Sequence, residues 1–242
     1  MTKKQMRWIP VALVCSVALY AQEAKLPTVE SVVEAYVKAC GARSAKKSTT
    51  RYGKGTFEMA AAGMKGAVEM YAKSPNKMYT KVDVPGFGVV LEGYDGTTAW
   101  STNPAQGMRE KSGVELAITK RNSEFDKELK LKELYPKMVL KGIEKIGDRD
   151  VYHVEATPQE GEPEQWFIDR QTSLMVRMSM DMEGPMGKMN VVSDMEDYKD
   201  VEGLKIPHTM KQQVGPMSMT LHFDEMKSNV PVDDAIFKKP AQ

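Results

Sequence analysis

From residue 55 to residue 226 the chain alternates apolar and polar side chains in short runs, each bounded by Gly, Pro, Asn or Asp. Successive side chains of a strand point to opposite faces, so each run predicts a strand with one apolar and one wet face. Such runs lie at 55–61, 67–73, 77–84, 89–94, 97–102, 138–146, 151–156, 165–169, 174–182, 188–198, 204–213 and 217–226. Gly63-Met64-Lys65-Gly66 offers turn chemistry for the first hairpin. Short strands joined by tight turns predict an antiparallel meander, and so large a twisted sheet rarely stays flat. The expectation is a mainly β fold: an incomplete, half-open antiparallel β-barrel of about 11–12 strands with helices covering the concave face.

Two segments break the alternation. Val29, Val32, Val33, Tyr36, Val37 and Cys40 fall at helical spacing, with Thr28 placed to cap the start and Gly41 the end. Residues 114–135 are richly charged and carry Val114, Ile118, Phe125, Leu129 and Leu134 at a looser helical spacing, ended by Pro136. These segments are expected to lie over the open barrel as a lid, with Val32, Tyr36, Ile118 and Phe125 facing the interior.

Residues 1–21 have the order of a secretory signal: Lys3, Lys4 and Arg7, then an apolar run from Trp8 to Tyr20, then Ala21 as the expected cleavage position. The run is shorter than the roughly 20 residues needed to cross a bilayer. Residues 22–242 then form one domain, expected in the periplasm. Cys15 leaves with the leader, so Cys40 has no partner for an intramolecular disulfide and is expected to be a buried small apolar group. Without the three leader cations, the 34 basic residues fall to 31 against 33 acids, a formal charge of −2. That balance argues against a nucleic-acid partner, whose phosphates need a basic face.

Methionine placement narrows the function. Seventeen of the 19 methionines lie beyond Met1 and Met6. Leu174, Val176, Met178, Met180 and Met182 share one face of their strand, opposite Arg177, Ser179 and Asp181; Met217, Met219, Leu221 and Phe223 likewise alternate with Ser218, Thr220, His222 and Asp224. Flexible thioether side chains suit a surface that adapts to apolar partners. The expected cavity lining is Phe57, Met59, Trp100, Trp166, Met178, Met180, Met182, Met219, Leu221 and Phe223. The Met-x-Met pairs also admit a Cu(I) site as a minor alternative, but residues two apart on one strand face stand nearly 7 Å apart, too far to chelate one ion without distortion.

Catalytic patterns are missing from the sequence. His153, His208 and His222 lack metal-ligand spacing, no G-x-S-x-G elbow occurs, and Gly86-Phe87-Gly88 lacks the rest of a dinucleotide loop. Glu160, Glu162 and Glu164 flank Gly161 and Pro163, which reads as a solvated loop. The expectation is a binding protein rather than an enzyme, with no cofactor and no metal.

An ordered series of short motifs carries a family resemblance: Lys73-Ser74-Pro75-Asn76, Val84-Pro85, Asp95-Gly96-Thr97-Thr98-Ala99-Trp100, Asn103-Pro104, Trp166-Phe167-Ile168-Asp169 with Leu174, the run from Asp197 to Pro207, and Phe237 with Pro240. This series resembles the periplasmic lipoprotein carrier (LolA-like) and outer-membrane lipoprotein-sorting family along nearly the whole chain after the leader. The resemblance implies a half-barrel around a hydrophobic cavity, a helical lid, and lipoprotein acyl chains or phospholipid as ligand. An inner- or outer-membrane envelope protein is a further possible partner, and a regulatory or scaffold module of the same fold is the alternative role. In the carriers an arginine commonly precedes the proline of the first motif and helps hold the lid closed. Ser74 stands there and lacks the guanidinium fork, so the resemblance does not extend to the carriers' energy-coupled loading and release, and the expectation widens to a divergent relative that binds or senses another lipid.

Overall fold

The computed structural model describes residues 26–184 and 187–240; the leader, with Cys15 and the expected cleavage position, lies outside them. Thirteen strands form one sheet, every adjacent pair antiparallel. In chain order they are β1 (Thr50–Met59), β2 (Met64–Lys73), β3 (Lys77–Val84), β4 (Gly88–Tyr94), β5 (Ala99–Asn103), β6 (Gly107–Glu110), β7 (Lys137–Ile146), β8 (Arg149–Thr157), β9 (Glu164–Asp169), β10 (Met175–Gly184), β11 (Gly187–Val201), β12 (Leu204–Val214) and β13 (Met217–Ser228). The spatial order is β6-β5-β4-β3-β2-β1-β13-β12-β11-β10-β9-β8-β7. Two hairpin meanders are thus joined by the pairing of β1 with β13. The edges β6 and β7 do not pair, so the barrel is open there, as expected.

Two local expectations need correction. The four-residue β6 brings the count to thirteen; it is too short for alternation to announce it. The first hairpin turns at Ala60–Ala62, a 3-10 turn closed by left-handed Gly63, and Gly66 lies inside β2 opposite Phe57. A Cβ at Gly66 would stand 2.1 Å from the Asp83 carbonyl oxygen, so this glycine serves close approach of β3 rather than the turn.

The helices sit between or against these strands. In α1 (Val29–Ala39) the Thr28 hydroxyl accepts the Ser31 amide hydrogen, an N-cap, and the chain leaves through Gly41 at φ +78°. Its stripe of Val32, Val33 and Val37 packs on Val154, Ala156, Trp166, Ile168 and Met175 of β8 to β10. The β11–β12 turn holds the end of α1, where the Lys205 amide donates to the Cys40 carbonyl at 2.8 Å and the Lys46 amide to the Glu202 carbonyl at 3.0 Å. Between the open edges lie α2 (Gly113–Ser123), a 3-10 turn at Lys127–Leu129 and α3 (Leu131–Leu134). The expected apolar stripe of this segment is buried only in part, most fully at Phe125. Val114 and Leu129 are exposed, while Ala117, Thr119, Arg121 and Ser123 are buried. α2 is therefore fastened by polar groups.

The outer face of β1 to β5 has its own small core. Tyr52, Tyr71, Tyr79 and Trp100 contact in series across four strands, ring centroids 4.8, 6.4 and 6.3 Å apart. Gly93 is bare because the Trp100 ring lies over it, 2.4 Å from where a Cβ would be. The Trp100 indole N–H donates to the carbonyl of Phe237, which is fully buried in the C-terminal 3-10 turn (Asp234–Phe237). Asp234 accepts from Lys73 at 2.5 Å and Lys77 at 2.7 Å, and these ammoniums hold its carboxyl down to about 2. The tail is thus a strap across the back of the sheet. Phe237→Ala should lower stability by about 3–5 kcal/mol, read by denaturant unfolding followed on tryptophan emission; an unchanged midpoint would show that the strap is not part of the fold.

Candidate functional site

The concave face of the sheet and the helical lid enclose a cavity of about 310 Å³. Its floor carries six methionines, Met70, Met78, Met175, Met178, Met195 and Met226, with Ala72, Trp166, Leu204, Ile206 and Pro207. Its roof is Tyr36 and Cys40 of α1, with Phe125, Lys127, Glu128 and Leu131 of the segment between the edges. Thioethers from β2, β3, β10, β11 and β13 converge because the strand registers align them on one face: Met70 lies opposite Gly53, Gly53 opposite Met226, Met78 opposite Ala72, and Met195 opposite Met210. Met175 joins Met178 through the register shift between Met175 and Arg177.

The proposed lining residues divide into three groups. Trp166 and Met178 line the cavity, as do Tyr36 and Phe125 from the lid. Phe57, Met180 and Phe223 are buried on the same face of the sheet, and Met59, Met182, Met219 and Leu221 are half-buried on it toward the hairpin ends. Val32 belongs to the core beneath α1, and Ile118 is half-buried outside the cavity. Trp100 is a correction: strand pairing puts it on the back of the sheet with Tyr79 and Phe237. The sequence reading missed Met70, Met78, Met195 and Met226, each readable from alternation within its own strand, the first two overshadowed by Tyr71 and Tyr79 on the opposite face. Met175 could not be found that way, because its bulge breaks the period.

A buried polar knot closes one end. Glu164, expected in a solvated loop, is 1% exposed. Its Oε1 accepts from Arg121 Nη2 at 2.7 Å and Nε at 3.0 Å; its Oε2 accepts from the Tyr135 hydroxyl at 2.8 Å and the Trp166 indole N–H at 3.0 Å. Arg121 also donates to the Glu160 carbonyl at 3.2 Å, and Tyr135 meets Trp166 edge-on at 4.6 Å. Burial alone would raise the Glu164 carboxyl, but Lys127, Trp166, Arg121 and Tyr135 together hold it below the usual range. Burial in turn drives the Tyr135 phenol well up. The knot ties α2 and α3 to β9.

A second fastening joins β1 to the segment between the open edges. Arg51 of β1 donates to the Phe125 carbonyl at 2.7 Å and stacks over the Phe125 ring at 3.9 Å. The Phe125 amide donates to the Pro75 carbonyl at 3.0 Å, so the Ser74-Pro75 turn still touches the lid through its backbone. Burial raises the Tyr36 and Tyr198 phenols well above their ordinary range, and it pushes the Cys40 thiol up to about 11, so this group stays protonated. Cys40 donates to the Val37 carbonyl at 3.3 Å.

The histidines lie elsewhere. His153 contacts Glu144 at 2.5 Å and Gln165 at 2.7 Å and stacks on Phe167, and His222 contacts the Thr209 hydroxyl at 2.8 Å. Among the described residues no group of three His, Cys, Asp or Glu side chains is placed to hold a metal, and no helix is long and apolar enough to cross a membrane.

An open antiparallel half-barrel whose lid roofs an apolar cavity is a defined class of fold, and solved structures share it. A LolA superfamily protein from Nitrosomonas europaea is 13% identical at a TM-score of 0.57, over 88% of this chain and 99% of that one. A domain named for outer membrane lipoprotein sorting from Vibrio parahaemolyticus is 14% identical at 0.58, over 86% and 96%. A DUF1329 family protein from Desulfovibrio piger is 14% identical at 0.60, over 88% and 98%. No protein-family profile and no curated protein sequence matches the chain. The likeness is one of fold.

Glu164→Gln leaves Arg121 buried beside a neutral amide and should cost about 3–5 kcal/mol in denaturant unfolding at pH 7. The sign with pH follows from the depressed carboxyl: its contribution is complete above the unfolded value near 4.3 and declines as pH falls below it toward the lower folded value. The wild-type protein should therefore lose stability below about pH 4.3 more steeply than the variant, and parallel pH profiles would contradict the role given to the knot.

Proposed function

We propose that this protein is an exported envelope protein that holds acyl chains of a lipoprotein or phospholipid in the cavity and carries them toward the outer membrane. The carrying observation is the set of six methionine side chains converging under a helical lid. Apolar burial would supply the affinity at about 0.8 kcal/mol per methylene, and unbranched, flexible side chains can follow a flexible guest without leaving voids. Entry would need the segment between the open edges to part from the sheet, against the Glu164 knot, the hold of Arg51 and Pro75 on Phe125, the burial of Leu131, and the surface pair of Arg109 with Glu115 at 2.7 Å. A protonated Cys40 thiol and a Glu164 carboxylate committed to hydrogen bonds support binding as the role of the site.

The two tryptophans of the described fold make the reading testable. Trp166 lines the cavity and Trp100 lies behind the sheet. Titrating the delipidated protein with an acylated peptide or phospholipid should raise its melting temperature, by an amount equivalent to about 2.7 kcal/mol at a hundredfold excess over Kd. It should also change tryptophan emission in wild type and in Trp100→Phe, but not in Trp166→Phe. No thermal shift with either lipid would remove the proposal, and a stoichiometric protein partner recovered without lipid would favour a scaffold role.

A further inference from the structure

The cavity roof is not wholly apolar, and its charges are unequally matched. Glu124 is neutralised by Lys130 at 2.6 Å, and Arg121 by Glu164 at 2.7 Å. Arg51 donates to the Phe125 carbonyl and stands 3.5 Å from Asp126, and Glu128 also stabilises its charge. Lys127 differs. Its ammonium donates to the neutral Asn122 side-chain oxygen at 3.1 Å and lies 5.8 Å from the centre of the Tyr135 ring, with no carboxylate of the described residues within 4 Å. Burial pulls its pKa down, against the raising influence of Glu164 and Glu128. Around the roof the charges balance in number, Arg51, Arg121 and Lys127 against Asp126, Glu128 and Glu164, but of these three cations Lys127 alone has no carboxylate of the described residues within 4 Å. Lys127 is half-buried at the cavity roof and its ammonium lacks a carboxylate partner, which an anionic ligand would supply.

The volume adds a second limit. A methylene displaces about as much space as a water, roughly 30 Å³, so 310 Å³ accommodates on the order of ten methylenes. That is one chain.

Resting on the acyl-binding reading above, we propose that the cavity takes a single-chain amphiphile with an anionic head, its tail among the methionines and its head on Lys127. The shared chemistry is one negative oxyanion at the end of one acyl chain, whether the carboxylate of a fatty acid or the phosphate of a lysophospholipid.

The test compares three ligands of equal tail length below their micelle concentrations, dodecanoate, dodecanoyl lysophosphatidate and neutral monododecanoylglycerol, by calorimetric titration of the delipidated protein. Wild type should bind both anions roughly tenfold or more tighter than the neutral glyceride, the scale of a charge-assisted hydrogen bond, and the tighter anion identifies the head. Lys127→Met should bind all three alike while keeping the glyceride affinity, which also shows that the variant is folded; Lys127→Arg should restore the preference. Equal binding of anion and glyceride by wild type, or a preference kept by Lys127→Met, overturns the anchor and leaves the acyl-binding reading standing. Binding of none of the three overturns both.

Discussion

The Glu164 carboxylate holds the two halves of the site together. It is donated by β9, and its two oxygens collect hydrogen bonds from the lid helix through Arg121, from the end of α3 through Tyr135, and from the cavity floor through Trp166. A buried carboxylate without these partners would be strongly unfavourable, so the lid helix, which lacks an apolar stripe, is positioned by the need to satisfy one charge. That arrangement differs from α1, which is held by ordinary burial of valines on β8 to β10.

Release of the knot would expose the methionine floor. The floor is made by strands from both meanders, which meet only where β1 pairs with β13, so the cavity exists only once the whole sheet has formed. The bulges next to it, between Lys54 and Gly55 and between Met175 and Arg177, re-aim side chains on that face. The back of the sheet is committed to a different task, with the tyrosine series and the strap at Phe237 stabilising the first meander from outside.

Most of the fold was legible in the sequence because period-two alternation and turn residues report strand faces directly. The α1 stripe and its Thr28 cap could be read to the residue. The second helical segment could not: its apolar residues suggested a stripe, yet Val114 and Leu129 are exposed and Arg121 is buried, since a polar side chain whose partner lies 43 residues away in the chain leaves no periodic trace. For the same reason Glu164 read as a loop residue among Glu160 and Glu162. The methionine face was legible as chemistry but misplaced along the sheet, because alternation fixes the face of a residue and not its distance from the lid. Trp100 was misassigned because a large aromatic fits the inner and the outer core equally well by pattern.

The central claim is that the space beneath the lid holds an acyl chain. Native mass spectrometry of the protein isolated from the cells that make it, alongside a variant whose cavity is filled by Met195→Trp, tests this most directly. The account predicts a co-purifying mass whose fragments include an acyl chain in the wild type and its absence in the filled variant. The same adduct in both, or an adduct without an acyl chain, would contradict it.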